Sequence, residues 1–448
     1  MGERIPWVFV PKWVTCPDFL LGLRVRLFVG SVVTKREIRC AGFWSANMGR
    51  SVKKGNYPGL QLSLSSSQRK PMAYLHKPMA PPQVTVPSSA CAQRHRFAAA
   101  YSILEQAVSQ QAFPGAAFGV LLRGEVLALD GVGGFTYGQS VETVNASTVY
   151  DLASVTKVMA TTSMAMLLYQ RGQLSLDQSV AEILPGFGQG ESIGGPRHQV
   201  TLRMMLAHTS GLAGYVRLFE SARNRDELLD ACLRLPLEAA PGSRSEYSDP
   251  GFILLGRALE VVAGESLEDF CSREVFSPLG MTSTRFRPPV DWQSAIPPTE
   301  EDLTFRHRII QGEVQDENCF VLGGAAGHAG LFSNALDPLL YAQCLLSGQL
   351  FTPETIRLFT TRALPAESSR ALGWDTPSQP SSSGKFFSRH SAGHLGYAGT
   401  SLWIDFERQL AIVLLTNRTW PHRQSQEIRA VRPAFHDAVV EKIEQGRA

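Results

Sequence analysis

Ser154-Val155-Thr156-Lys157 opens an apolar run that continues through Val158, Met159, Met164, Leu167 and Leu168 to Tyr169. The pattern predicts a buried helix over 155–171. Residues three or four apart share a helix face, so Ser154, Lys157 and Thr161 form a polar stripe on it. A lysine almost never lies within a buried run without a partner or a role. The pair also suits nucleophilic chemistry. A serine hydroxyl needs a base within hydrogen-bond reach. A lysine one turn on supplies it if burial lowers its pKa from about 10.4. The first turn of a helix points backbone N–H groups, and the positive end of its dipole, at the serine. One such N–H can hold an oxyanion, an effect worth about 3 kcal/mol. The plainer reading makes Ser154 an N-cap and Lys157 a snorkelling side chain.

Lysine usage makes this pair stand out. The chain has 448 residues and a net charge of +3, but residues 1–90 carry +10 and residues 91–448 carry −7. Six of the nine lysines fall in the first 90 residues; the rest of the chain has only Lys157, Lys385 and Lys442. Ser-x-x-Lys occurs four times, at Ser51–Lys54, Ser67–Lys70, Ser154–Lys157 and Ser382–Lys385. Only Ser154–Lys157 opens an apolar helical run.

The basic segment 1–90 has no clear periodicity and ends in Ser63–Ser67 and a Pro-rich run, Pro71 to Pro87. It reads as a poorly ordered extension. Its charges are scattered, so no nucleic-acid partner is expected. Arg24 and Arg26 interrupt the apolar stretches Phe19–Leu23 and Leu27–Val33, which leaves no clean signal peptide. A start at Met48, Met72 or Met79 is an alternative. No stretch reaches the ~18 uninterrupted apolar residues of a membrane-spanning helix. The seven cysteines are widely spaced and contain no Cys-x-x-Cys pair. They read as buried small hydrophobes, not as a disulfide framework or a zinc site.

Residues 91–446 read as one α+β domain. A helix is expected over 93–111, then a hairpin of 116–122 and 125–130 around Arg123-Gly124. A second hairpin, Thr400–Ile404 with Leu410–Thr416, lies near the other end, followed by an amphipathic helix from Gln426 to Ile443. Between them the pattern is helical at 155–171, 201–207, 225–234, 249–263, 266–276 and 335–346. Strands at both ends imply one antiparallel sheet built from both termini and flanked by helices. The inserted helical lobe would leave a cleft against it.

Two further stretches carry chemistry. Tyr247 is the only tyrosine followed two residues later by a carboxylate, in Tyr247-Ser248-Asp249. A phenol there can relay a proton between nucleophile and leaving group. His394-Leu395-Gly396-Tyr397 leads into the second hairpin. Gly396 would let a substrate approach a strand edge closely, and the Tyr397 N–H can be a second oxyanion donor. By contrast, Gly190-Glu191-Ser192-Ile193-Gly194 matches a nucleophile elbow but lacks the required strand and helix around it.

Ser154–Lys157, Tyr247–Asp249 and His394–Gly396, in that order, resemble the penicillin-recognising serine hydrolases: class C β-lactamases, low-molecular-weight D-Ala-D-Ala carboxypeptidases and related esterases. Leu206–Leu212, with His208 inside it, resembles the turn after that family's helical lobe. Asp177–Pro185 resembles its Leu-x-Leu-Asp segment, and Gly324–Ser333, containing His328, resembles the Gly-rich stretch of its esterase-like branch. The resemblance covers roughly residues 92–445 and implies a β-lactamase/transpeptidase-like fold. It further implies that Ser154 forms an acyl-enzyme, with Lys157 and Tyr247 sharing the proton transfers. The oxyanion would lie between the N–H groups of Ser154 and Tyr397, and Asp249, His394 and Gly396 would bind substrate. It implies no metal or organic cofactor, a small-molecule or peptidoglycan-like substrate, and a site outside the cytoplasm, although the broken apolar runs leave a cytoplasmic one open. Two residues depart from the family pattern. Asp249 stands where Asn is common; a carboxylate favours a charged Lys157 and cannot donate to a substrate amide. His394 stands where β-lactamases carry Lys, and a neutral imidazole holds a carboxylate poorly. Both favour a peptidase or esterase over an efficient β-lactamase, with a penicillin-binding sensor of little turnover as the alternative.

Overall fold

The computed structural model describes residues 81–82, 84–85, 90–138 and 141–446. The readings of residues 1–80, including the alternative starts, Cys16, Cys40 and two of the Ser-x-x-Lys matches, lie outside the described residues. Thr85, placed by the sequence in the extension, already bridges Glu125 and accepts a hydrogen bond from Val126 N at 2.9 Å.

The main sheet is antiparallel and drawn from both ends of the domain. Its strand order is Glu125–Gly133, Gly115–Leu122, Leu410–Thr416, Ser401–Asp405, Ser391–Leu395. The first hairpin turns at Arg123 (φ +53°) and Gly124 (φ +83°), the double left-handed geometry of a tight two-residue turn. Side chains alternate across the pleat. Ile412 and Leu414 face a cluster with the helices Ala98–Ser109 and Ile428–Gln445, while Ala411, Val413 and Leu415 face the larger core of the helical lobe. Both faces are buried, which is why Leu410–Thr416 reads as an unbroken apolar run and not as an alternating one.

The helices of the lobe begin where the chemistry of their caps dictates. Asn224 accepts from Glu227 N, and Glu227 reaches back to Arg223 N, so Arg225–Arg234 starts where the periodicity says. Ser248 caps Asp249–Ala263 by accepting from Gly251 N at 3.0 Å, and Gly264 (φ +74°) ends it. This second cap sets Tyr247 and Asp249 at a helix N-terminus.

Some expectations are corrected. The expected helix 93–111 is two, Ala90–Arg96 and Ala98–Ser109, broken at the buried Phe97. The run 155–171 is not a uniform α-helix: a 3₁₀ turn, Ala153–Val155, passes into a wide π turn, Lys157–Thr162, before α-helix Ser163–Gln170. Ser154 lies inside that 3₁₀ turn and caps nothing. Ser391–Leu395, for which no strand is expected from the sequence, is an edge strand of the main sheet. Cys91 is exposed, while Cys232, Cys271, Cys319 and Cys344 are buried as expected. The stretch Gly190–Gly194 is a turn, with both glycines at positive φ.

Candidate active site

Ser154 is held at the lip of a cleft by short-range ties on both sides. Tyr150–Asp151 pairs with Leu331–Ser333, and Leu152 N donates to Leu331 O at 2.9 Å. Ala153 takes φ +47°, a left-handed conformation unusual for alanine, fixed by its N–H donating to Asp151 Oδ1 at 2.8 Å. Such a strained residue costs about 1–3 kcal/mol and persists only where its surroundings over-determine it. The Thr400 hydroxyl donates to Leu152 O at 2.8 Å, and Gly396 N donates to Thr400 O at 2.8 Å. The turn carrying Gly396 and Tyr397 is thereby locked to the turn carrying Ser154. A methyl group on Gly396 would overlap the Leu152 carbonyl and the Thr400 hydroxyl, so this close approach requires glycine. The main-chain N–H groups of Ser154 and Tyr397 have no acceptor among the described residues.

Lys157 is 0% exposed, and its ammonium has three acceptors for its three protons. They are Ser154 Oγ at 2.9 Å, Asp249 Oδ1 at 2.6 Å and the His328 carbonyl at 3.0 Å. Burial pulls the Lys157 pKa down, but Asp249 and Tyr247 outweigh it and hold it above its ordinary value. Lys157 is therefore a charged ammonium at rest. The Lys157 ammonium lies 4.9 Å from the centre of the Tyr247 ring; burial raises the Tyr247 pKa, against the pull of Lys157. Its ring packs between His208, with centroids 4.6 Å apart, and the Arg370 guanidinium at 5.1 Å.

His394 is 2% exposed and neutral, because burial, Lys157 and Arg370 push its pKa well below the ordinary 6.5. Its Nδ1 donates to Leu395 O at 2.8 Å, the only role a carbonyl partner allows, so Nε2 is an acceptor with no partner among the described residues. His208 Nδ1 accepts from Ser248 N at 3.0 Å and so steadies the cap before Asp249. His328 Nε2 contacts Asp316 Oδ1 at 2.8 Å. Asp316 also accepts from Cys319 N, and these contacts outweigh burial to hold its pKa at about 2.

The fold brings all seven residues singled out by the sequence near one another. Ser154, Tyr247, Asp249, His394, Gly396 and Tyr397 line one cleft of about 760 Å³, and Lys157 lies beneath its floor. The arrangement can activate a hydroxyl, offer two N–H donors to an oxyanion, and move a proton through Lys157, Tyr247 and Asp249. Among the described residues no group of three or more His, Cys, Asp or Glu is placed to hold a metal ion. The sequence reading missed Arg370, Asp316, and the arginines Arg418, Arg423, Arg429 and Arg432 on the same walls. Arginine is the ordinary cation of this segment, so no single one stands out; Arg429 and Arg432, three apart near the start of the last helix, were the available signal.

Residues 101–434 match the family described as Beta-lactamase. A putative D-alanyl-D-alanine carboxypeptidase of Escherichia coli K12 is 32% identical over 306 residues, 61% of this chain and 70% of that protein. An N-acetylmuramyl-L-alanine amidase of Bacillus subtilis is 31% identical over 349 residues, 68% of this chain and 77% of that protein. Among solved structures, EstCE1, a hydrolase with promiscuous acyltransferase activity, superposes with a TM-score of 0.64 at 23% identity, covering 78% of this chain and 100% of its own. The octameric penicillin-binding protein homologue of Pyrococcus abyssi gives 0.61 at 21% identity, covering 76% of each chain. These two structures speak for the fold. With the family match spanning three quarters of the sequence and both relatives named for bond cleavage, the chain is a serine hydrolase of the beta-lactamase family.

Proposed function

We propose that this hydrolase cleaves an amide or ester bond of a small peptidoglycan-like substrate through an acyl-enzyme on Ser154. One observation carries the reading: the Ser154 hydroxyl opens to the cleft while lying 2.9 Å from a lysine that is wholly buried beneath it. Ser154 Oγ attacks the carbonyl carbon. The oxyanion accepts from the N–H groups of Ser154 and Tyr397, each donor worth about 3 kcal/mol. Lys157 acts as the base from its neutral form, whose amine takes the Ser154 proton across the 2.9 Å contact. Tyr247 gives its proton to the departing amine or alcohol and takes in its place the one that Lys157 received from Ser154, and water then hydrolyses the acyl-enzyme.

The names of the two relatives favour a peptide over a β-lactam. So do Asp249, which cannot donate to a substrate amide, and the uncharged His394. A second reading, a penicillin-binding sensor with little turnover, draws on the raised pKa of Lys157, because a lysine held charged makes a slow base for deacylation. The hydrolase corresponds to residues 91–446.

The test is mass spectrometry and rate measurement with an N-acyl-D-alanyl-D-alanine peptide, an aryl ester and a cephalosporin. Expected is turnover of the peptide or ester, with transient acylation at Ser154 and no turnover by Ser154→Ala. Activity that survives Ser154→Ala overturns the mechanism. A stable penicillin adduct without product release supports the sensor instead.

A further inference from the structure

Asp151 carries a charge that the chemistry of the cleft does not call for. It ends the short strand Tyr150–Asp151, three residues before Ser154, and is 1% exposed. It forms no ion pair among the described residues. Aspartate is depleted from strands, and a buried charge without a counter-ion is costly. Its two oxygens are divided between two main-chain N–H groups. Oδ1 accepts from Ala153 N and Oδ2 from Gln315 N, each at 2.8 Å. Burial raises its pKa to about 6 against the pull of these donors, so the carboxylate prevails at neutral pH.

The two donors belong to different parts of the cleft. Ala153 precedes the nucleophile and holds φ +47°, a conformation that L-residues rarely adopt. The turn around it is tied at its ends to the strand Leu331–Ser333: Leu152 N donates to Leu331 O, and the Thr156 hydroxyl accepts from Leu331 N at 3.1 Å. Inside the turn, the tie on Ala153 N is Asp151. Gln315, on the cleft wall, is a fixed post. Its side chain donates to Glu300 at 2.9 Å, and its carbonyl accepts from Arg306 at 2.6 Å. The next residue, Asp316, meets His328, whose carbonyl accepts from Lys157. One anchored segment therefore reaches the serine through Asp151 and the lysine through His328.

We propose that Asp151 is a positioning residue of this hydrolase: it braces the Ala153–Ser154 peptide against Gln315 and so aims the Ser154 N–H at the oxyanion. The inference rests on the reading of Ser154 as the nucleophile. Asp151 acts through Ser154 and does not line the cleft itself. Asparagine cannot replace it, because an amide has one acceptor oxygen and would turn its NH2 toward the other N–H. Glycine at 153 takes up a left-handed conformation without a brace, so it should make Asp151 less necessary.

The test is a cycle of Asp151→Asn, Ala153→Gly and both together in the full chain. It measures kcat and KM on an aryl ester, with circular dichroism to verify folding. With Ala153 present, Asp151→Asn should lower kcat by about tenfold or more and leave KM within about threefold. In the Ala153→Gly background the same change should cost about threefold or less. An unchanged kcat in folded Asp151→Asn overturns the proposal. An equal loss in both backgrounds also overturns it, because a packing role is indifferent to residue 153. If Asp151→Asn fails to fold, Asp151→Glu decides, since its carboxylate is one methylene too long to span both N–H groups. A severalfold fall in kcat that Ala153→Gly relieves supports the brace, and no fall overturns it. Turnover that survives Ser154→Ala removes Ser154 as nucleophile and the brace with it. Ser154-dependent turnover that ignores Asp151→Asn removes the brace alone.

Discussion

Asp249→Asn tests the coupling between the carboxylate and the buried lysine. The Lys157–Asp249 contact is 2.6 Å, and the lysine is sealed from water. Two unit charges about 4 Å apart interact by about 4 kcal/mol at an effective dielectric of ~20. At 1.36 kcal/mol per pKa unit this attraction corresponds to about 3 units, and the shorter 2.6 Å contact makes it larger. Asparagine keeps an acceptor oxygen near the amine, and Ser154 and the His328 carbonyl remain, so a fall of about 1–2 units is expected. The sign follows from the charge. Asp249 holds the Lys157 pKa up, so removing it makes the neutral amine available at lower pH. The acid limb of kcat/KM, which reports the free enzyme's base, should move down by about 1–2 pH units. Breaking a buried pair also costs about 3–5 kcal/mol of stability, less whatever Lys157 recovers by shedding its proton. The assay is a pH–rate profile of wild type and variant on an aryl ester, with circular dichroism to verify folding across the range. An acid limb that stays in place, or moves up, refutes the assignment of Lys157 as a base coupled to Asp249.

Two further outcomes are expected. Gly396→Ala forces a methyl onto the Leu152 carbonyl and the Thr400 hydroxyl. Hydrolysis should fall at least tenfold, with a loss of about 1–3 kcal/mol in urea denaturation; near-normal rates would show that the two turns are not locked together. Asp316→Asn removes a carboxylate whose pKa is held at about 2 against an ordinary 3.8, chiefly by His328 against the opposing effect of burial. A depressed carboxylate stabilises the fold above its unfolded pKa and loses that contribution as pH falls through its folded pKa. The variant should be about 2 kcal/mol less stable than wild type at pH 7, with the gap closing between about pH 4 and pH 2; a gap that persists at pH 2 would place its cause elsewhere.

The parts of the site legible in the sequence were those whose chemistry conflicts with their surroundings. Lys157 was conspicuous because lysine is rare after residue 90 and this one lies in an apolar run. Tyr247 and Asp249 were legible because no other tyrosine stands two residues before a carboxylate, and the structure adds that Ser248 caps the helix that follows. Ser391–Leu395 was not legible as a strand. Ser-Ala-Gly-His-Leu has no β-branched residue, and its extended state comes from pairing with Ser401–Asp405 across a turn. The left-handed Ala153 and the π turn at Lys157–Thr162 are likewise imposed by their contacts and are not local preferences.

By itself, then, the sequence determined the α+β layering, the sheet shared between the two ends, and the identity of the pair Ser154 and Lys157. Hydrophobic period and residue type carry that information along the chain. Only the tertiary structure decided the charge state of Lys157, because its acceptors come from positions 154, 249 and 328. It alone decided the tautomer of His394, through one carbonyl contact. It also separated Arg423, neutralised by Glu300 and Glu317, from Arg432, which has no counter-ion among the described residues. Electrostatic energies depend on distance and burial in space, and neither is encoded by spacing along the chain.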